Sequence, residues 1–283
     1  MAPSRTRVAI VGAGPAGAFA AAAILRARGD AEIDLFERLP TPWGLLRAGV
    51  APDHQEIKRL QDTFERHTFA SGCRFVGNVE VGVDLSHTEL MRHYSAVIYA
   101  TGAQTDKNLG IPGEDLPGVV DALTFIEHLK THPYRDTTVG RQVVVIGAGN
   151  TAIDAVTQAK RLGAATATIV YRRGEADMSA YHYEYELAKR DGCGFRFNAA
   201  PLRVLGNGAV VGLEVRTANG TETIACDMVI IAIGQGAREA LKIPEHPNVF
   251  IGGDCANGGA EIVNAAAEGV TAAKRIDEML TGI

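Results

Sequence analysis

Two short glycine runs carry the chemistry of this chain. The first reads Gly12-Ala13-Gly14-Pro15-Ala16-Gly17, the second Gly147-Ala148-Gly149-Asn150-Thr151-Ala152. At this spacing the first glycine permits a tight turn and the second lets backbone approach a pyrophosphate. The third lets a helix pack closely on a strand. The helix that opens at the run offers free N–H donors and its positive dipole end to phosphate oxygens. In the second run the third glycine is Ala152, larger by one methyl.

The residues after each run sort the ligands. Glu37 closes the first unit, where a carboxylate accepts from a ribose 2′-hydroxyl and repels a 2′-phosphate. Arg172 and Arg173 close the second, where paired guanidiniums bind a 2′-phosphate through charge-assisted, bidentate bonds. The first site therefore expects FAD or NAD and the second NADP(H). Residues 8–38 align without a gap onto 143–173, which sets Glu37 opposite Arg172 and Arg38 opposite Arg173. Two such units in one chain mean two dinucleotides or a duplication with one silent site.

Each run needs a strand before it and a helix and strand after it. The apolar runs 8–11, 33–36, 143–146 and 169–171 supply the strands, and an alanine-rich helix is expected over 18–28. Residues 96–99 read as a further strand ending at Thr101-Gly102, a small corner suited to close cofactor approach. The loop 40–54, with Trp43 and Leu46, is placed to line a ligand site. A helix is expected over 55–68 with Ile57, Leu60 and Phe64 inward, a strand pair over 75–83, and an interdomain linker over 110–119. Residues 178–190 read as a helix whose tyrosines, Tyr181, Tyr183 and Tyr185, divide between core and surface. Strands are expected over 195–199, at Val204 and over 210–216, with a buried strand over 227–233 that ends at Gly234. A last strand over 249–251 leads through Gly253-Asp254 and Gly258-Gly259 into a helix reaching Leu280. The expected fold is α/β: two Rossmann-like dinucleotide-binding domains. One spans 1–115 and 235–283 and holds FAD; the other, 116–234, is inserted in it and holds NADPH.

Composition narrows the classes. A hydrophobic content of 46% over 283 residues supports real cores, and a net charge of −5 argues against nucleic-acid binding through bulk positive charge. No apolar run suggests a membrane span, and no signal peptide is evident, so a cytoplasmic protein is expected. The four cysteines, Cys73, Cys193, Cys226 and Cys255, form no Cys-x-x-Cys pair and no metal-ligand pattern.

On these motifs the chain resembles the FAD- and NADPH-binding part of the glutamate synthase small subunit family. That group includes the flavin half of dihydropyrimidine dehydrogenase and relatives of adrenodoxin reductase. The resemblance covers nearly the whole chain. It rests on VAIVGAGPAG from Val8, VVVIGAGNTAIDA from Val143, IVYRRGEADMSA from Ile169, VIIAIGQ from Val229 and IGGDCANGGAEIVNAAAEG from Ile251. The loop TPWGLLRAGVAPDHQEIKR from Thr41 is most similar to the adrenodoxin reductase branch. The resemblance implies FAD contacts at Gly12, Gly14, Gly17, Glu37 with Arg38 beside it, Leu46, Thr101, Gly102, Gly253, Asp254 and Ile262. It implies NADPH contacts at Gly147, Gly149, Asn150, Thr151, Arg172, Arg173 and Gly234, and places His54 as a tuning residue beside the flavin. Asp154 supports the second helix. The chain departs from the family in three ways. The cysteine-rich iron–sulfur region is absent, the segment 235–248 is short, and Met178-Ser179-Ala180 stands for a methionine-proline-alanine stretch.

Hydride transfer from nicotinamide to flavin asks the protein for positioning rather than for an acid or base. With no cysteine pair and no cluster, electrons are expected to leave to a ferredoxin-like protein or to an iron–sulfur or flavin partner subunit. Two other readings remain open: a flavin-dependent oxidase or hydroxylase acting on a small substrate, and a non-catalytic subunit that retains its cofactors.

Overall fold

The computed structural model describes residues 6–69, 72–103, 105–236, 243–257 and 261–282. The expected turn at Gly258-Gly259 lies outside the described residues. The chain forms two compact units, one of Met1–Val50, His54–Thr105 and Gln235–Ile283, the other of Ala51–Asp53 and Asp106–Gly234. A two-stranded ribbon, Thr105–Asp106 with Gln235–Gly236, lies where the chain passes from one unit to the other and returns.

Each unit is built on a five-stranded sheet with parallel pairing. In the first the spatial order is Val249–Ile251, Ala96–Tyr99, Arg7–Val11, Glu32–Phe36, Cys73–Val76. In the second it is Val119–Asp121, Met228–Ile231, Gln142–Ile146, Thr166–Val170, Gly194–Arg196. In both, the strand that precedes the glycine run lies at the centre and is buried along almost its whole length, as a sheet covered on both faces requires. The chain fills the outermost position last in the first unit and first in the second. The second unit adds an antiparallel sheet of Ala200–Gly206, Val210–Thr217 and Gly220–Ala225, turning at Gly208 and Gly220 with φ of +85° and +114°.

The helix expected over 18–28 begins earlier and runs Pro15–Ala27. Proline at the first helical position loses nothing there, because its N–H would lack an intrahelical partner anyway. Its buried Ala16, Ala20 and Ala21 share a cluster with Ala265, Ala272, Ala273 and Ile276 of the C-terminal helix Ile262–Thr281. A Cβ on Gly269 would lie 2.1 Å from the Ala16 carbonyl oxygen, so the two helices meet backbone to backbone.

Several local expectations shift. Residues 55–68 form two pieces, Gln55–Lys58 and Leu60–Thr68, and Leu60 faces solvent while Phe64 packs with Trp43 and Phe19. No strand pair forms over 75–83: the strand Cys73–Val76 ends at a left-handed Asn78, φ +58°, and Val81 makes only an isolated bridge to Leu85. Residues 110–118 are not a linker. Pro112 O accepts from Val204 N at 2.9 Å and a Cβ on Gly113 would strike Val204 O at 2.2 Å, so this stretch packs on the antiparallel sheet. The unit boundary accordingly falls at 105–106 rather than 115–116. The helix expected from 178 begins at His182, and its tyrosines do divide: Tyr185 is buried, Tyr181 and Tyr183 exposed. Among the described residues no helix is long and apolar enough to cross a membrane.

Asp34, on a buried strand of the first unit, is held by Arg74 Nε and Nη2 at 2.7 and 2.9 Å, by Arg7 at 3.3 Å and by the Tyr94 hydroxyl. Burial opposes its ionisation, but donation from Arg74 and Tyr94 and the charges of Arg74 and Arg7 prevail and hold the carboxyl below its ordinary range.

Two stability tests follow from this packing. Gly269→Ala should lower unfolding free energy by roughly 2–4 kcal/mol. Gly29→Ala, at an open position, should be near neutral; equal urea midpoints for the two variants would contradict the helix contact. Asp34→Asn should cost roughly 1–3 kcal/mol at neutral pH. The folded value is lowered, so this contribution is complete above about pH 4 and disappears as pH falls through it. A wild-type-to-variant difference in melting that grows on acidification would contradict the assignment.

Candidate dinucleotide sites

The first central strand ends at Gly12, with φ +107°, a value side chains rarely adopt. A Cβ there would lie 2.3 Å from the Ala100 carbonyl oxygen, and one on Gly17 would lie 2.0 Å from Gly12 O. These two glycines are required by the protein's own backbone. Gly14 differs: apart from its chain neighbours no described atom lies within 4 Å of where its Cβ would stand, and its φ of −76° suits any residue. The opening over Gly14 fits a bound group that must approach the main chain, at a helix start whose first N–H groups lack intrahelical acceptors.

Around that opening, Glu37 is pinned by two backbone donors, Ala13 N to Oε2 at 3.0 Å and Leu39 N to Oε1 at 3.1 Å. A carboxylate has about four acceptor positions, so two stay available to hydroxyl donors. Thr101 and Gly102 follow the strand beside Gly12, and the Thr101 Cα lies 3.0 Å from the Gly12 Cβ position. Gly253, φ +82°, packs against Ala16, with its N–H on the Glu268 carboxylate at 2.7 Å. Asp254 opens the short helix Asp254–Asn257. Ile262, the first residue of the C-terminal helix, packs in one cluster with Trp43, Phe64 and fully buried Leu46. Leu46 has no exposed surface and both its backbone groups are taken, its N–H donating to Trp43 O at 3.0 Å and its carbonyl accepting from Gln61 Nε2 at 3.2 Å, so the structure does not present it as a flavin contact. Arg38 is exposed, and His54 stands at the N-cap of Gln55–Lys58. The structure thus gathers Gly12, Gly14, Gly17, Glu37, Thr101 and Gly253 around one helix start.

The second unit repeats the device. Gly147 has φ +142°, and a Cβ there would lie 2.2 Å from the Ala232 carbonyl oxygen. Gly149 is the N-cap of helix Asn150–Arg161, and Ala152, in place of a third glycine, is fully buried in it. Asn150 already uses its Oδ1 to accept from Tyr181 N at 2.9 Å, and Thr151 follows it in the first turn. Gly234, φ +90°, is exposed and its carbonyl accepts from Lys107 N at 3.3 Å.

The register corrects the gapless alignment of the two copies. Arg7 pairs with Glu32 in the first, whereas Gln142 pairs with Thr166 in the second, because the helix between them has 12 residues there against 13 in the first. Glu37 N donates to Val76 O, and the residue making the same bond, to Arg196 O, is Tyr171. Tyr171, not Arg172, therefore stands where Glu37 stands, and Arg172 matches Arg38. The charge difference between the two units remains. The Tyr171 hydroxyl is spent on Asp177 O at 3.0 Å, no acid occupies the position, and Arg172 and Arg173 follow, both exposed. Neither guanidinium has a carboxylate partner among the described residues. Sequence reasoning missed Tyr171 because a helix shorter by one residue at its end breaks no apolar pattern.

The four cysteines are free. Burial pushes the Cys73 and Cys226 thiols up to about 12 and Cys193 up to about 11, far from the thiolate that exchange chemistry needs. The Cys255 thiol donates to the Tyr99 and Gly252 carbonyls.

The Gly14 opening gives a direct test. Gly14→Val should leave the melting of cofactor-free protein within a few degrees of wild type and reduce flavin retention at least about tenfold, since one displaced phosphate contact set is worth more than ~1.4 kcal/mol. Full flavin retention by this variant would contradict the site.

Comparison with known proteins agrees with this arrangement. The family model described as pyridine nucleotide-disulphide oxidoreductase matches residues 6–269. NADPH-ferredoxin reductase FprA of Mycobacterium tuberculosis is 47% identical over 156 residues, covering 52% of this chain and 34% of that protein. Mitochondrial NADPH:adrenodoxin oxidoreductase of Arabidopsis thaliana is 45% identical over 152 residues, covering 52% and 32%. The chain thus spans about a third of the length of the curated relatives it matches. The structure of M. tuberculosis FprA in complex with NADPH superposes with a TM-score of 0.86 at 26% identity, over 98% of this chain and 85% of that one. Thioredoxin reductase of T. acidophilum, TM-score 0.76 at 22% identity over 97% and 98% of the two chains, shares the fold. The chain belongs to the pyridine nucleotide-disulphide oxidoreductase family, a membership that implies FAD and NADPH as its cofactors.

Proposed function

We propose that the protein is an FAD-dependent NADPH oxidoreductase that passes reducing equivalents to a separate ferredoxin-like protein. The observation that carries this reading is the asymmetry between two otherwise matching cradles. One ends in a carboxylate fixed by two backbone donors, the other in two guanidiniums with no carboxylate partner among the described residues.

In the first unit, Glu37 accepts from the ribose hydroxyls of FAD and the start of helix Pro15–Ala27 faces its pyrophosphate. Thr101, Gly102, Gly253, Asp254 and Ile262 border the remainder. In the second, Gly147, Gly149 and Thr151 form the NADPH pyrophosphate turn, and Arg172 and Arg173 bind the 2′-phosphate. Asn150 holds the wall of that turn through Tyr181. Bound FAD supplies a hydride acceptor that can release electrons singly. The chain's residues bind, orient and exclude competing chemistry; none need move a proton. Thiol–disulfide exchange has no cysteine pair to run on within these 283 residues, so the electrons leave to another redox centre. The relatives named as ferredoxin and adrenodoxin reductases support a protein acceptor.

Replacing both arginines, Arg172→Ala with Arg173→Ala, should raise KM for NADPH roughly 10–100-fold through loss of charge-assisted bonds, with KM for NADH nearly unchanged. Steady-state reduction of a ferredoxin with both nucleotides measures this. An unchanged NADPH KM would remove the assignment, and transfer to no ferredoxin in wild type would remove the acceptor class.

A further inference from the structure

The second glycine turn carries a group that the first lacks. In both units the carbonyl after the first glycine is clasped by the loop that follows the next strand. Ala13 O accepts from Trp43 N at 2.7 Å, and Ala148 O accepts from Ser179 N and Ala180 N, each at 3.2 Å. The clasp lays a different residue over each turn. In the first unit it is Gly44, where a Cβ would stand 3.3 Å from Gly14 Cα, so this wall is bare backbone. In the second it is Ser179, whose Oγ lies 3.5 Å from the Cβ position of Gly149. It is the only described atom within 4 Å of that position apart from the glycine's chain neighbours.

Ser179 is exposed, and its hydroxyl has no hydrogen-bond partner among the described residues. Its backbone is nonetheless fixed. The two bonds to Ala148 O hold one side of the segment, and the bond from Tyr181 N to Asn150 Oδ1 at 2.9 Å pins the next turn to the same helix start. A hydroxyl on a pinned wall can rotate its proton toward an acceptor without reordering the backbone. Backbone N–H groups reach the open space over Gly149 from the helix, and the hydroxyl reaches it from the side.

We propose that Ser179 is a pyrophosphate-binding residue of the NADPH site, its Oγ–H donating to a phosphate oxygen; this rests on reading the second unit as that site. The role differs from that of Arg172 and Arg173. Ser179 serves the diphosphate common to all pyridine dinucleotides, whereas the arginines serve the 2′-phosphate. It adds affinity without adding discrimination between NADPH and NADH.

Calorimetric titration of the full chain with NADP+ and with adenosine 2′-monophosphate, which has no pyrophosphate, separates the two roles. Ser179→Ala should weaken NADP+ by roughly tenfold, the scale of one hydrogen bond to a charged acceptor, and leave adenosine 2′-monophosphate unchanged. Ser179→Thr keeps the hydroxyl and should restore most of the affinity. Arg172→Ala should weaken both ligands. An NADP+ Kd for Ser179→Ala within twofold of wild type, or an equal loss for both ligands, would overturn the role of Ser179 while leaving the site reading intact. Wild-type protein that binds neither ligand would overturn the site reading itself.

Discussion

Two backbone contacts govern the rest of the structure: Gly12 against the Ala100 carbonyl and Gly147 against the Ala232 carbonyl. At each, a Cβ would lie within 2.3 Å of the oxygen, and the glycine has a φ that side chains rarely adopt. The carbonyl belongs in each case to the end of the strand beside the central one. The central strand must therefore turn at this point, and the helix it enters must start against the carboxyl edge of its own sheet. That geometry puts unsatisfied N–H groups in one direction, and an opening over the second glycine follows. The helix packing continues the same economy of side chains. Gly17 meets the Gly12 carbonyl and Gly269 meets that of Ala16.

Given the same cradle twice, the proposed ligand choice falls to the residues just beyond the next strand. Glu37 is held by Ala13 N and Leu39 N and presents fixed negative charge. In the second unit a helix one residue shorter brings Tyr171 into that place, and its hydroxyl turns to Asp177 O. Positive charge follows at Arg172 and Arg173. A shift of one residue thus removes an acid without disturbing the turn. The walls differ in the same spirit: Gly44 leaves one bare, and Ser179 gives the other a hydroxyl.

Much of this is legible in the sequence because glycine spacing and apolar strands are local signals. The two Rossmann-type units, their central strands and the acid at Glu37 can all be read from residue types alone. What escaped reading is decided by contacts distant in sequence. Residues 110–118 have the glycines and prolines of a linker, yet Val204 N and Val204 O draw Pro112 and Gly113 into the second unit. Residues 75–83 alternate as strands do, but a left-handed Asn78 ends the pairing. Residues 178–181 have helical composition, and the Ala148 carbonyl keeps them extended as a wall instead. The shorter second helix leaves no mark in residue types, because losing one residue at its end violates no apolar pattern.

On the proposed function the two cradles hold different dinucleotides, and hydride passes from NADPH to FAD. Anaerobic titration of flavin-loaded protein, followed at the flavin absorbance band, tests it most directly. Stoichiometric NADPH should bleach the flavin completely, and NADH only at concentrations at least about tenfold higher, the ratio expected from losing one charge-assisted contact. Flavin that NADPH leaves oxidised, or that both nucleotides bleach at equal concentration, would contradict it.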